Sequence, residues 1–189
     1  MPEIFLSASV PAPDRGDYYL TSDPFLIQSA VRELIVQVIR SHVIVWGGHP
    51  AITPMILTIC EDLEVDYNKS VVLYQSRYFS GHFPKENMEF GNVVLTDNIE
   101  GDRAKSLLHM REEMLSRKGL KAAVFIGGME GIHEEYEIFT RFHPKAEVLP
   151  VSSPGGAARE LAIKLGAQAE NELNDIAFSR LFYEKLCMP

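Results

Sequence analysis

Hydrophobic positions along this chain follow two alternating rhythms: short unbroken apolar runs rich in β-branched and aromatic residues, and longer stretches whose apolar residues recur three and four positions apart. The short runs predict six strands, Ile4 to Ser7, His42 to Trp46, Ser70 to Tyr74, Asn92 to Thr96, Ala122 to Ile126 and Glu147 to Val151. Their centres are apolar throughout, the pattern of strands covered on both faces. The longer stretches predict helices. The first has Ser22 or Asp23 as N-cap, Pro24 in its first turn and an aliphatic side made of Leu26, Ile27, Val31, Leu34, Ile35, Val38 and Ile39, and it ends before His42. Further helices are predicted over Pro50 to Glu61, Asp102 to Lys118, Gly131 to Phe142, Gly155 to Leu165 and Ile176 to Leu186. Strand and helix alternating in this way define an α/β fold, a mainly parallel sheet of about six strands with helices on both faces. The long segments Pro11 to Thr21 and Gln75 to Gly91 are aromatic-rich loops expected to overhang the sheet edge.

Composition narrows the class. A chain of 189 residues with 46% hydrophobic and 23% charged content fills one core, so a single domain over residues 1–189 is expected. A net charge of −8 argues against binding long nucleic acid, because such proteins present basic surface to the polyanion. Cys60 and Cys187 are far apart, without CxxC spacing, so neither a disulfide framework nor a zinc site is signalled, and Cys60 reads as core in a reducing cytosol. No leader pattern opens the chain and no apolar run is long enough for a bilayer. The expectation is a soluble cytoplasmic protein, with no membrane partner and no metal.

Two charges interrupt apolar faces. Arg111 lies at helical spacing from Leu107, Leu108, Met114 and Leu115, and Glu135 lies between Ile132 and the pair Ile138 and Phe139, so both are expected to point inward. An inward charge needs a partner, either the other residue or a ligand. Between them stands one of three places where a strand runs into a glycine pair that opens a helix: Gly47 and Gly48, Gly127 and Gly128, Gly155 and Gly156. Such turns let backbone approach a ligand closely, and the amides of the following helix attract phosphate or carboxylate oxygens. None has the Walker lysine, and GGMEG does not match the dinucleotide fingerprint, so ATP hydrolysis and ordinary hydride transfer lose ground and no cofactor is expected.

The segment Leu108-His109-Met110-Arg111-Glu112 resembles the M-H-x-R-K helix motif of the LOG branch of the SLOG superfamily, the Smf/DprA and LOG-like Rossmannoid proteins. The run from Ile126 to Glu135 resembles that family's P-G-G-x-G-T-x-x-E motif, at a similar interval. The resemblance implies a Rossmann-like three-layer fold and a nucleoside-monophosphate phosphoribohydrolase type of activity. In it Arg111 and Glu135 would be the catalytic pair, Gly127, Gly128 and Gly131 the phosphate-binding turn that also carries Met129 and Glu130, and Gly47 and Gly48 an earlier glycine loop. This chain has Ile126 for the proline, Ile132 for the threonine, Glu112 for the lysine and one extra residue in the turn, which removes two oxygen-facing donors and shifts the amides. Other SLOG branches look like sensors of nucleotide-derived signals, NAD-derived ones included, often associated with prokaryotic conflict systems. The opening IFLSAS resembles, more loosely, nucleoside deoxyribosyltransferase and TIR-like folds.

Further contacts to ribose, base or phosphate are expected from Ser7 and Ser9, from Ser152 and Ser153, from Gly155 and Gly156, from Asp97 or Asn98, and from Arg77 between aromatics. The resulting expectation is a nucleotide-ligand domain, acting as sensor or as an N-glycosidic-bond hydrolase, and forming a homodimer by family analogy and by its aliphatic first helix. Two plainer readings stand beside it. Arg111 and Glu135 can form a structural pair or a dimer contact, and the chain can be a non-enzymatic protein-interaction subunit on a Rossmann-like scaffold.

Overall fold

A computed structural model describes residues 1–188, apart from the side chain of Met88. Six strands, β1 (Glu3–Ser9), β2 (Val43–Trp46), β3 (Val71–Ser76), β4 (Val93–Thr96), β5 (Leu120–Gly127) and β6 (Glu147–Val151), form one sheet in the order β4-β3-β2-β1-β5-β6. Every neighbouring pair is parallel. The chain winds outward from β1 to β4, then crosses back and winds outward from β5 to β6. That reversal opens a crevice beyond the carboxyl ends of β1 and β5, where Ser9 pairs with Gly127 in register.

The helices are α1 (Pro24–Val38), α2 (Thr53–Asp62), α3 (Tyr67–Ser70), α4 (Arg103–Leu115), α5 (Gly131–Phe142), α6 (Gly156–Lys164), α7 (Glu170–Leu173) and α8 (Phe178–Phe182), the last running on into a π-helical turn. Local signals explain the ends. The Asp23 carboxylate accepts from the Phe25 and Leu26 amides (2.9 and 3.1 Å) just ahead of Pro24, and Asp102 accepts from the Lys105 amide (3.0 Å) to start α4.

Strand alternation splits the core into two layers. Ile4 and Leu6 of β1 face α1, α2 and α8, whereas Phe5 joins the layer under α4, α5 and α6. The three-layer Rossmann-like architecture expected from the sequence is therefore the one observed. The aliphatic side of α1, with Ile27, Val31, Leu34, Ile35 and Val38 fully buried, is covered within the chain by α2 and α8, so α1 itself gives no reason for a dimer. One helix face differs from expectation. In α4 the buried stripe runs through Met110, Met114 and Leu115, while Leu108 is 47% exposed. At about 100° per residue Leu107, Met110 and Met114 lie to one side of Arg111, the side the sheet takes, and Leu108 and Leu115 to the other. Leu115, two turns further along the helix, is buried in the same layer as Phe139, whereas Leu108 is left exposed. The two long loops fold into 3₁₀ turns, Tyr18–Thr21, Arg77–His82 and Lys85–Met88. Among the described residues no helix is long and apolar enough to cross a membrane.

Candidate nucleotide-binding cleft

A cleft of about 450 Å³ opens over the carboxyl ends of β1, β2, β3 and β5, a volume suited to a small ligand. Ser7 of β1, the Gly47-Gly48 turn after β2, Met129 and Gly131 at the entrance to α5, Glu135 on α5 and Arg111 on α4 all line it. The two inward charges meet. Arg111 Nε donates to Glu135 Oε1 (3.1 Å), Arg111 Nη1 donates to Glu134, and Ser7 Oγ donates to the other Glu135 oxygen (2.5 Å). The side chains of Arg111 and Glu135 are 14% and 15% exposed, so a near-buried ion pair is formed at the mouth of the switch point. Glu134, 61% exposed, caps it from the solvent side.

Gly131 makes this geometry available. A Cβ there would stand 2.6 Å from Arg111 Nη2, so only glycine lets the guanidinium lie against the first turn of α5. Among the described residues no acceptor takes Nη2, and α5 and α2 start without side-chain caps, unlike α1 and α4. The unused Nη2 of Arg111 and the positive end of the α5 dipole thus lie together on one side of the cleft. Gln75 fixes the other glycine turn, donating to the carbonyl of Gly47 (2.7 Å) as well as to that of Tyr74 (2.9 Å).

Arg15 and Arg103 join Arg111 in the lining, against the single carboxylate of Glu135. A chain of net charge −8 therefore presents a cationic cleft. His49, also in the lining, is held below the usual histidine range by burial and secondarily by the Arg15 charge. Its Nδ1 accepts from the Ala51 amide (3.3 Å), which leaves the ring hydrogen on Nε2.

Ser9 lines the cleft as well, and the other residues expected at the site stand elsewhere. Gly127 and Gly128 are buried beside it; the Gly128 amide donates to the Ser9 carbonyl (2.9 Å) and its carbonyl accepts from Ala157 (3.1 Å), tying β1, β5 and α6 together. Gly155 packs against the 11–21 loop so tightly that a Cβ would fall 1.8 Å from the Thr21 carbonyl oxygen, and Gly156 abuts Gly127. Ser152 and Ser153 donate to the carbonyls of Glu172 and Asp175, anchoring the chain after α6. Asn98 accepts from the Gly101 amide (3.1 Å) in the turn before α4, Arg77 pairs with Asp97 at 3.9 Å on the surface, and Glu130 is exposed.

Sequence reasoning passed over Arg15, Arg103 and Asn87. Arg103 carried a signal: a cation in a helix's first turn opposes the dipole, and it shares a stripe with Leu107, Met110 and Arg111, all of them cleft residues. Asn87 carried none, because nothing local fixes the path of its loop.

A Rossmann-like α/β domain with a cationic cleft at its switch point is the class that fold and site define. The model of the SLOG cluster3 family matches residues 17–186, and the chain belongs to that family. Its helix and glycine motifs had pointed to the same superfamily, whose members are nucleotide-related Rossmannoid proteins. No curated protein matches the chain.

Proposed function

We propose that the cleft binds a nucleotide or a nucleotide-derived ligand, NAD-derived ligands included, with phosphate at Arg111 Nη2 and the α5 entrance and ribose at Ser7 and Glu135. The observation that supports this most directly is the Ser7–Glu135–Arg111 chain, whose guanidinium keeps one donor edge unused beside an uncapped helix start. The rim arginines Arg15 and Arg103 add attraction for a second phosphate.

Hydrolysis of the N-glycosidic bond is the second reading, and Glu135 supports it. An ionised carboxylate has about four acceptor positions, and in Glu135 only two are engaged. The free positions would hold a water whose oxygen adds to the sugar C1′ as the bond to the base breaks, the water's proton passing to the carboxylate and from it, through solvent, to the departing base, so that the carboxylate is restored. Arg111 would hold the phosphate.

Calorimetric titration with AMP, other nucleoside monophosphates, NAD and ADP-ribose, run beside chromatographic detection of free base, tests both. Binding without base release establishes a sensor. Base release that Arg111→Ala and Glu135→Ala each abolish establishes a hydrolase. No heat and no base across the panel overturns the proposal and leaves the interaction subunit.

A further inference from the structure

Buried polar side-chain atoms lacking any hydrogen-bond partner number four among the described residues, and three of them are Trp46 Nε1, Asn87 Nδ2 and Asn87 Oδ1. Both residues line the cleft. Asn87 is 6% exposed and Trp46 1%. A carboxamide with neither end paired is expensive to bury, and an apolar side chain of the same size would fit there at lower free energy. A partner that arrives with the ligand accounts for its presence.

Position defines which part of a ligand that is. Asn87 sits in the Lys85–Met88 turn beyond β3, its backbone amide fixed on the Pro84 carbonyl (3.1 Å), with Phe79 and Phe83 also in the lining. Glu135 stands over β1, where Ser7 donates to it, and Arg111 reaches it from α4; β1 is two strand positions from β3, about 10 Å at the usual strand spacing. A nucleotide with its ribose over β1 at Ser7 and Glu135 and its base directed toward β3 therefore brings that base to Asn87. The orphaned atoms are two donors and one acceptor. Adenine offers their complement, the N6 amino donor flanked by the N1 and N7 acceptors, and asparagine pairs with that edge through both amide atoms.

We infer that the β3 end of the cleft is a base-reading pocket for a purine of the adenine type, in which Asn87 Oδ1 accepts from the amino group, Asn87 Nδ2 donates to an adjacent ring nitrogen and Trp46 Nε1 donates to the remaining acceptor. The apolar rings of Phe79 and Phe83 supply the stacking surface. This rests on the nucleotide reading above and adds what that reading leaves open, the part of the ligand that is recognised.

The test compares AMP with purine riboside 5′-monophosphate, which lacks only the amino group, by calorimetry on the wild-type chain, Asn87→Leu and Asn87→Asp. The wild type binds AMP about 10- to 100-fold more tightly than the deaminated analogue. Asn87→Leu brings the two ligands within about twofold of each other and melts no lower than wild type, since it removes two orphaned atoms. Asn87→Asp, which keeps size and acceptor but loses the donor, also weakens AMP. Equal binding of both ligands to the wild type, or discrimination that survives Asn87→Leu, overturns the pocket while leaving the nucleotide reading intact. Absence of binding by either ligand, together with none for NAD or ADP-ribose, removes both.

Discussion

Two arginines six residues apart, Arg111 and Arg117, each pair with a glutamate, at opposite edges of the same sheet, and they use the same chemistry differently. Arg117 closes its fork on Glu3 at the start of β1: Nε and Nη2 reach the two carboxylate oxygens at 2.9 and 2.5 Å, and Nη1 reaches the Tyr74 hydroxyl at 3.2 Å. Every nitrogen is engaged, and the Glu3 hydrogen bonds hold the guanidinium above its ordinary pKa. Arg111 spreads over Glu134 and Glu135, shares Glu135 with Ser7, and keeps Nη2 uncommitted. A closed bidentate pair spends its full capacity on the fold. An open one retains capacity for something else, and it is the open pair that stands in the cleft.

Breaking each pair separates the two roles most sharply. Arg117→Ala strands Glu3, whose side chain is 13% exposed, and should lower stability by about 2 kcal/mol, less than a fully buried pair would lose because Arg117 itself is 28% exposed. For a chain of this size that is a fall of about 4–8 °C in Tm, with nucleotide affinity unchanged in the folded protein. Arg111→Ala should do the reverse, removing most nucleotide affinity while costing less than half as much stability, because Glu135 keeps Ser7 and opens onto the cleft. Urea unfolding and calorimetry on both variants check this. Equal destabilisation would make Arg111–Glu135 another structural staple.

Gly131→Ala sharpens the contrast with a smaller change. The added Cβ lies 2.6 Å from Arg111 Nη2 and must push the guanidinium off the α5 entrance, so affinity for AMP should fall about tenfold, or roughly 1.4 kcal/mol. Stability should hold or rise, because alanine is the better helix residue. Opposite signs in the two measurements are the signature of a glycine kept for the ligand site, and a fall in both would assign it to packing.

Those residues also mark how far the sequence could be read. Glu135 was found from Ile132, Ile138 and Phe139 alone, because α5 is strongly amphipathic and a 3.6-residue rhythm resolves which side is inward. Strands β1 to β6 were legible for the same local reason. The three glycine pairs looked equivalent, yet only Gly47-Gly48 and the residues entering α5 line the cleft, since the role of Gly155 is decided by Thr21, far away in sequence. Arg15 and Asn87 come to the cleft on loops whose paths are set by tertiary contacts, and no periodicity encodes those. Leu108 was misplaced because four apolar neighbours of Arg111 did not reveal on which side the sheet would lie.

The smallest predicted effect concerns how the open edge tolerates acid. His49 titrates below its ordinary value of 6.5 because burial, and then the Arg15 charge, disfavour the imidazolium in the folded chain. The unfolded chain therefore takes up its proton first as pH falls, so the stability contributed by neutral His49 is complete above about pH 6.5 and is lost as pH drops through the folded value. Melting temperatures of wild type and His49→Gln, measured from pH 8 to pH 5, should run together above pH 7 and diverge below it, the wild type falling more steeply. Arg15→Gln should fall between the two, because it removes the lesser cause and leaves burial in place. An Arg15→Gln curve that coincides with wild type would mean that the 11–21 loop does not bring its charge to bear on the cleft, and the second phosphate would then be left to Arg103 alone.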